Sequence, residues 1–233
     1  MEGFYLFSIE EVLSRLRAAA RPNQLEGMAR YGINIENRFG VSIPELRKLA
    51  KEVGKNHELA LELWKTGIAD ARILASMIDD FSQLTETQME VWVKDIDSWD
   101  VGDQVCMNLF EKTPLAWKKI DEWSRREEEY IKRTAYGLLA CLAWHDKKAE
   151  NQKFLEMLPI IGRGALDERN SIKKAVSWAL RNIGKRNFKL NEAALAEARR
   201  IRLLDSKNAR WIASEVIREL ESESVKNRLN KKK

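Results

Sequence analysis

The residue types with the most chemical reach stand together in Ser98-Trp99-Asp100-Val101-Gly102-Asp103. If both are helical, Trp99 and Asp103, four positions apart, lie a turn apart on nearly one face. A plainer reading fits the same spacing: Asp100 as N-cap, Asp103 at the third helical position and Trp99 packed just before the helix. The remaining candidates are rings and cations. Trp178 lies in Lys173-Lys174-Ala175-Val176-Ser177-Trp178-Ala179-Leu180-Arg181, and Trp211 follows Arg210. Rings among cations suit a groove that holds a nucleic-acid backbone. They also suit core packing, which is the expectation preferred for Trp211. Arg133, in Tyr130-Ile131-Lys132-Arg133-Thr134-Ala135-Tyr136, offers a rigid fork to a phosphate or occupies a solvated helix face.

Other chemistries find little support. His57 and His145 have no partners at metal-ligand or triad spacing, so no metal site is expected. No GxGxxG or Walker loop appears, which speaks against a nucleotide-driven enzyme. Cys106 and Cys141 sit in apolar helical patterns and read as small buried thiols. Trp64, Trp92, Trp117 and Trp123 read as packing residues. The formal charge is +5. From Ser171 to Arg218, however, twelve Lys and Arg, including Lys185, face only Glu192, Glu197, Asp205 and Glu215. That excess is expected to form a binding surface.

The elements that must position these groups are helices. Pro44 suits a first helical turn, and Leu46, Leu49, Ala50 and Val53 follow as a stripe. Comparable apolar sets recur through Ile73-Leu74-Met77-Ile78, Ile131-Ala135-Leu138-Leu142, Ile172-Val176-Ala179-Ile183 and Ile212-Val216-Leu220. Polar connectors such as Gly54-Lys55-Asn56 and Asp167-Glu168-Arg169-Asn170 separate them. The 4 Pro and 11 Gly argue against a turn-rich β fold. Stacked helix pairs with a loose repeat are therefore expected, with a compact all-α bundle as the alternative. One repeat domain is expected over 1–224, with a basic tail over 225–233. No apolar run approaches the ~20 residues of a membrane span. The start, Met1-Glu2-Gly3-Phe4-Tyr5, lacks the order of a signal peptide, so a cytoplasmic location is expected.

Together these pieces resemble the DNA alkylation repair family of HEAT-like repeat glycosylases, of the AlkD type. The likeness runs from about Gly27 to Leu220. It is carried by Met28-Ala29-Arg30-Tyr31-Gly32-Ile33, Gly40-Val41-Ser42-Ile43-Pro44-Glu45-Leu46-Arg47, the Trp99–Asp103 motif, Ile131-Lys132-Arg133-Thr134 and Ser177-Trp178-Ala179-Leu180-Arg181. The resemblance implies an all-α solenoid, a superhelix of HEAT-like helical repeats whose basic concave face holds duplex DNA. It implies removal of positively charged alkylated purines without a conventional base-flipping pocket. Asp103 would be the catalytic carboxylate, Trp99 the aromatic beside the lesion and Trp178 the second aromatic of the cleft. Arg133 would contact the DNA backbone, and Lys173, Lys174, Arg181, Lys185 and Arg210 are assigned to DNA binding. The partner would be double-stranded DNA containing alkylated purines, bound by a monomer with no cofactor. In a bacterium the protein would associate with the nucleoid. Asp103 in a helix's first turn would be held anionic by the backbone N–H groups there. A non-catalytic DNA-damage or DNA-shape binding protein and a helical protein-binding scaffold are the alternatives.

Overall fold

The computed structural model describes residues 7–231. The signal-peptide expectation at Met1–Tyr5 and the last two tail lysines, Lys232 and Lys233, lie outside the described residues. Within them are fourteen α-helices and no strand. No described helix is long and apolar enough to cross a membrane. The chain divides into two compact units, up to Leu115 and from Ala116 onward.

The first unit holds α1 (Ile9–Ala18), α2 (Leu25–Arg30), α3 (Ile43–Val53), α4 (His57–Lys65), α5 (Ala69–Ile78), α6 (Glu86–Asp95) and α7 (Trp99–Asn108). Local chemistry sets their starts. Ser8, Asn56 and Thr85 each accept a backbone N–H three residues on, filling donors that a helix N-terminus leaves open. Pro44 sits in the first turn of α3, where its missing N–H costs nothing. Gly54 closes α3 at φ 74°, a conformation that disfavours side chains with a Cβ. Packing then joins non-sequential helices. Trp64 of α4 stacks on Trp92 of α6 with ring centroids 4.0 Å apart, and both are buried. The Trp64 indole N–H donates to Asp95 at 2.9 Å. In the neighbouring row α5 lies between α3 and α7. There Asn108 Nδ2 donates to Ser76 Oγ at 3.1 Å.

The second unit comprises α8 (Ala116–Ser124), α9 (Glu129–His145), α10 (Asn151–Gly164), α11 (Asn170–Gly184), α12 (Phe188–Arg202), α13 (Lys207–Leu220) and α14 (Glu223–Asn230). Here the repeat is plain. Ser171 donates to Glu129, and Asn182 Nδ2 to the Ala140 carbonyl at 3.1 Å, both across 42 residues. Start meets start and end meets end, so α9 and α11 run parallel. The next step is 38 residues, from Arg181 of α11 to Glu219 of α13. A Cβ at Gly184 would lie 2.4 Å from Leu220 Cδ1, so glycine there lets α11 approach α13 without displacing the Leu220 side chain. Helices α10 and α12 pack as the second row. These spacings match a helix-pair repeat of about 40 residues. Apolar stripes at i, i+3, i+4 explain the burial of Ile172, Val176, Ala179 and Ile183 on one face of α11.

Within the basic tail, residues 223–230 form α14, because Ser222 caps them and Val225 and Leu229, four apart, are buried. Cys106 and Cys141 are buried thiols, as expected.

Candidate functional site

Both members of the opening motif are helical. Ser98, with extended backbone angles, is the N-cap of α7, so Trp99 is its first residue and Asp103 its fifth. The two therefore share a face, a turn apart, and each is partly exposed. The capping alternative is corrected on this point, and so is the first-turn placement of Asp103. The acid in the first turn is Asp100. Gly102 lies inside the helix and is buried without breaking it.

A loop 62 residues away holds this helix end. Arg38 forks onto Asp100, with Nη1 to Oδ2 at 2.6 Å and Nη2 to Oδ1 at 3.0 Å. The Arg38 side chain is 2 % exposed and Asp100 16 %, so the pair is largely shielded from water. Arg38 Nε also donates to the Asn34 carbonyl at 3.0 Å. Asn34 in turn donates its backbone N–H to Ser98 Oγ at 3.2 Å and its amide to Asp97 at 2.8 Å. Ser98 Oγ donates to Asp100 Oδ1 at 2.6 Å. The Trp99 indole N–H donates to the Tyr31 carbonyl at 3.1 Å, which restrains the ring. Bidentate charge-assisted bonds of this kind fix geometry as well as charge. Asp100 is thus the carboxylate of the motif that the Arg38 fork holds.

In the second unit, Lys174, Trp178, Arg181 and Lys185 recur at intervals of four, three and four. They form one stripe along the partly exposed side of α11. Lys174 is exposed and Trp178 half-buried. Arg181 and Lys185 both reach Glu219 of α13, at 2.5 and 2.7 Å. Burial opposes ionisation of Glu219. The hydrogen bonds from Lys185 and Arg181 outweigh it and hold the carboxyl below the usual carboxylate value. Lys173 lies on the flank, its Nζ 4.7 Å from the centre of the Trp211 ring. Trp211 is 39 % exposed, which corrects the core placement preferred for it: position 211 follows the α13 face that borders Lys173. Arg210 is exposed and pairs loosely with Asp205 at 3.4 Å.

Arg133 differs from these. It is 5 % exposed within α9, so it does not lie on the solvated face that a lone arginine more often occupies. Its neighbour Lys132 pairs with Asp167 at 3.4 Å and Glu127 at 3.7 Å. His57 is not isolated either: Nδ1 lies 2.6 Å from Asp79 Oδ1, and Gln88 holds the other oxygen at 2.7 Å. Of the expected residues, the structure brings Trp99 and Asp103 together in the first unit. It brings Lys173, Lys174, Trp178, Arg181 and Lys185 together on α11 in the second. Sequence reasoning missed Arg38, Asn34 and Glu219, whose partners are too remote in the chain for any local pattern to mark them.

Comparison with known proteins completes the description. The family model described as DNA alkylation repair enzyme matches residues 12–220. No curated protein matches the sequence. Among solved structures, one described as "a new family of proteins related to the HEAT-like repeat DNA glycosylases with affinity for branched DNA structures" is similar. It superposes with a TM-score of 0.79 at 21% identity, covering 96% of this chain and 96% of that one. That likeness identifies the fold as HEAT-like helical repeats. A designed armadillo repeat protein in complex with the peptide (KR)4 gives a TM-score of 0.37 at 17% identity, over 80% of this chain and 79% of that one. An engineered protein gives 0.42 at 12% identity, over 90% and 98%.

Proposed function

Because the chain belongs to the DNA alkylation repair enzyme family, we propose that it is a DNA glycosylase releasing positively charged alkylpurines from duplex DNA. The bases meant are of the N3-methyladenine and N7-methylguanine type. The observation that carries the reading is the pairing of Trp99 and Asp103 on one face of α7, with Asp100 already neutralised by Arg38. Alkylation makes the purine a cation and a ready leaving group. As the C1′–N bond breaks, its electron pair leaves with the base and positive charge develops on the sugar. The Asp103 carboxylate stabilises that charge, and water then adds at C1′ and gives up a proton. Trp99 and Trp178 offer ring faces to the electron-poor sugar. Lys173, Lys174, Arg181, Lys185 and Arg210 hold the backbone, and Arg133 contacts it through its small exposed part. On this reading the protein acts as a monomer, in the cytoplasm or on the nucleoid of a bacterial cell.

The test is release of free methylated base from methylated duplex by the purified protein. Asp103→Asn is expected to lower release on the order of 100-fold while DNA affinity stays within about twofold. Equal activity in Asp103→Asn sinks the mechanism. The similar structure at a TM-score of 0.79 belongs to a family with affinity for branched DNA, which favours a second reading: a non-catalytic DNA-shape binder. Tight binding to a four-way junction without any released base would choose it.

A further inference from the structure

The cationic stripe of α11 does not stop where the helix ends. Lys185, just past its last turn, also lines a small cleft with Trp144, Lys147, Asn182, Arg186 and Arg228. Three elements meet there: the end of α9, the end of α11 and α14. Among the described residues no carboxylate lines it. The cations are held in place by uncharged groups as well as by Glu219. Arg186 donates to the carbonyls of Ala143 at 2.9 Å and Ala149 at 3.2 Å, and its guanidinium lies 4.1 Å from the centre of the Phe154 ring. Lys147 donates to the Trp144 carbonyl. Asp146 is the acid that acts on Arg186, and its carboxylate accepts the backbone N–H groups of Lys148 and Ala149. Burial, then repulsion by Arg186 and Arg228, pull the Lys147 ammonium below the usual lysine value. These like charges therefore gather at a cost that a bound anion would relieve. The cleft measures about 20 Å³, room for one oxygen-sized group and not for a ring.

We propose that this cleft is a second backbone-phosphate site, taking a phosphodiester oxygen of DNA that continues past the Trp178 stripe. Lys174 and Lys185 are eleven residues apart, ~16 Å along a helix. That is about five base-pair steps, so the cleft and the Lys174 end hold different phosphates. The inference rests on the DNA-binding reading above.

The experiment is titration of a 30-base-pair duplex at several salt concentrations. Lys147→Ala with Arg228→Ala is expected to weaken binding roughly tenfold at low salt and to flatten the salt slope by about two. Combination with Lys174→Ala should multiply the losses. Arg228→Glu alone, at an exposed position, is expected to act in the same direction and covers the case in which the double variant fails to fold. Lys226→Ala removes the same charge from α14, where Lys226 pairs with Glu223, and should leave the slope unchanged. Wild-type affinity and slope in a folded double variant or in Arg228→Glu would overturn the site, as would an equal loss in Lys226→Ala. Wild-type protein with no salt-sensitive binding removes the DNA-binding reading itself, a separate result.

Discussion

Up to Leu115 the chain carries 19 acidic and 13 basic residues; from Ala116 onward it carries 17 acidic and 28 basic. The net +5 is therefore a sum of opposite signs. In the first unit two arginines are turned inward: Arg38 neutralises Asp100 and Arg72 lies over the buried Trp64 ring. In the second, cations line the partly exposed side of α11. The difference teaches that the two halves meet separate requirements. In the first unit accurate placement comes from a largely shielded fork, which fixes the start of α7 through Asp100. A phosphate backbone needs density of charge along a line, which a repeated helix provides.

The largest expected effect breaks the first half of that contrast. Arg38→Ala leaves Asp100 as an uncompensated, largely shielded carboxylate and should destabilise the protein by about 3 kcal/mol, read in thermal or urea unfolding. Base release should fall with it, and Arg38→Ala combined with Asp100→Ala should recover most of the stability. A single variant as stable as wild type would mean that the fork does not hold α7. Next comes the second half. Replacing Lys173, Lys174 and Arg210 with alanine should reduce the salt slope of duplex binding by nearly three, with unfolding unchanged. An unaltered slope would show that the stripe is ordinary solvated surface. The smallest effect concerns the Glu219 bridge. Its carboxyl is held below the ordinary value of 4.5. The bridge therefore stabilises the fold above that pH, and this contribution is lost as pH falls through the depressed value. Glu219→Gln should cost under ~1 kcal/mol near neutrality and converge on wild type in acid. A constant difference from pH 7 to pH 3 would contradict the assignment.

Much of the fold was legible because amphipathic stripes are local. Leu46, Ile131, Ile172 and Val216 announce their buried faces within a few residues, and Trp64, Trp92 and Trp123 are buried as their apolar neighbours suggest. The shared face of Trp99 and Asp103 was legible for the same reason. What failed depended on remote partners. The start of α7 lies two residues before the alternative cap because Ser98 is recruited by Asn34 and Asp100. Arg133 looks like a surface residue in sequence and is buried between packed helices. Helix α14 shows only two spaced apolar residues, too few to outweigh its lysines and arginines as a pattern. The repeat looked loose because its ties span about 40 residues in the second unit, whereas the α5–α7 tie in the first spans 32.

The even register of α9, α11 and α13 has an evolutionary consequence. A row built from interchangeable pairs can gain or lose a member by duplication, because each pair needs only its neighbours. One more pair between α11 and α13 would widen the cationic track by a helix and leave α7, with its two aspartates, untouched. The length of the cationic row and the geometry of the α7 face can thus be selected independently within one gene.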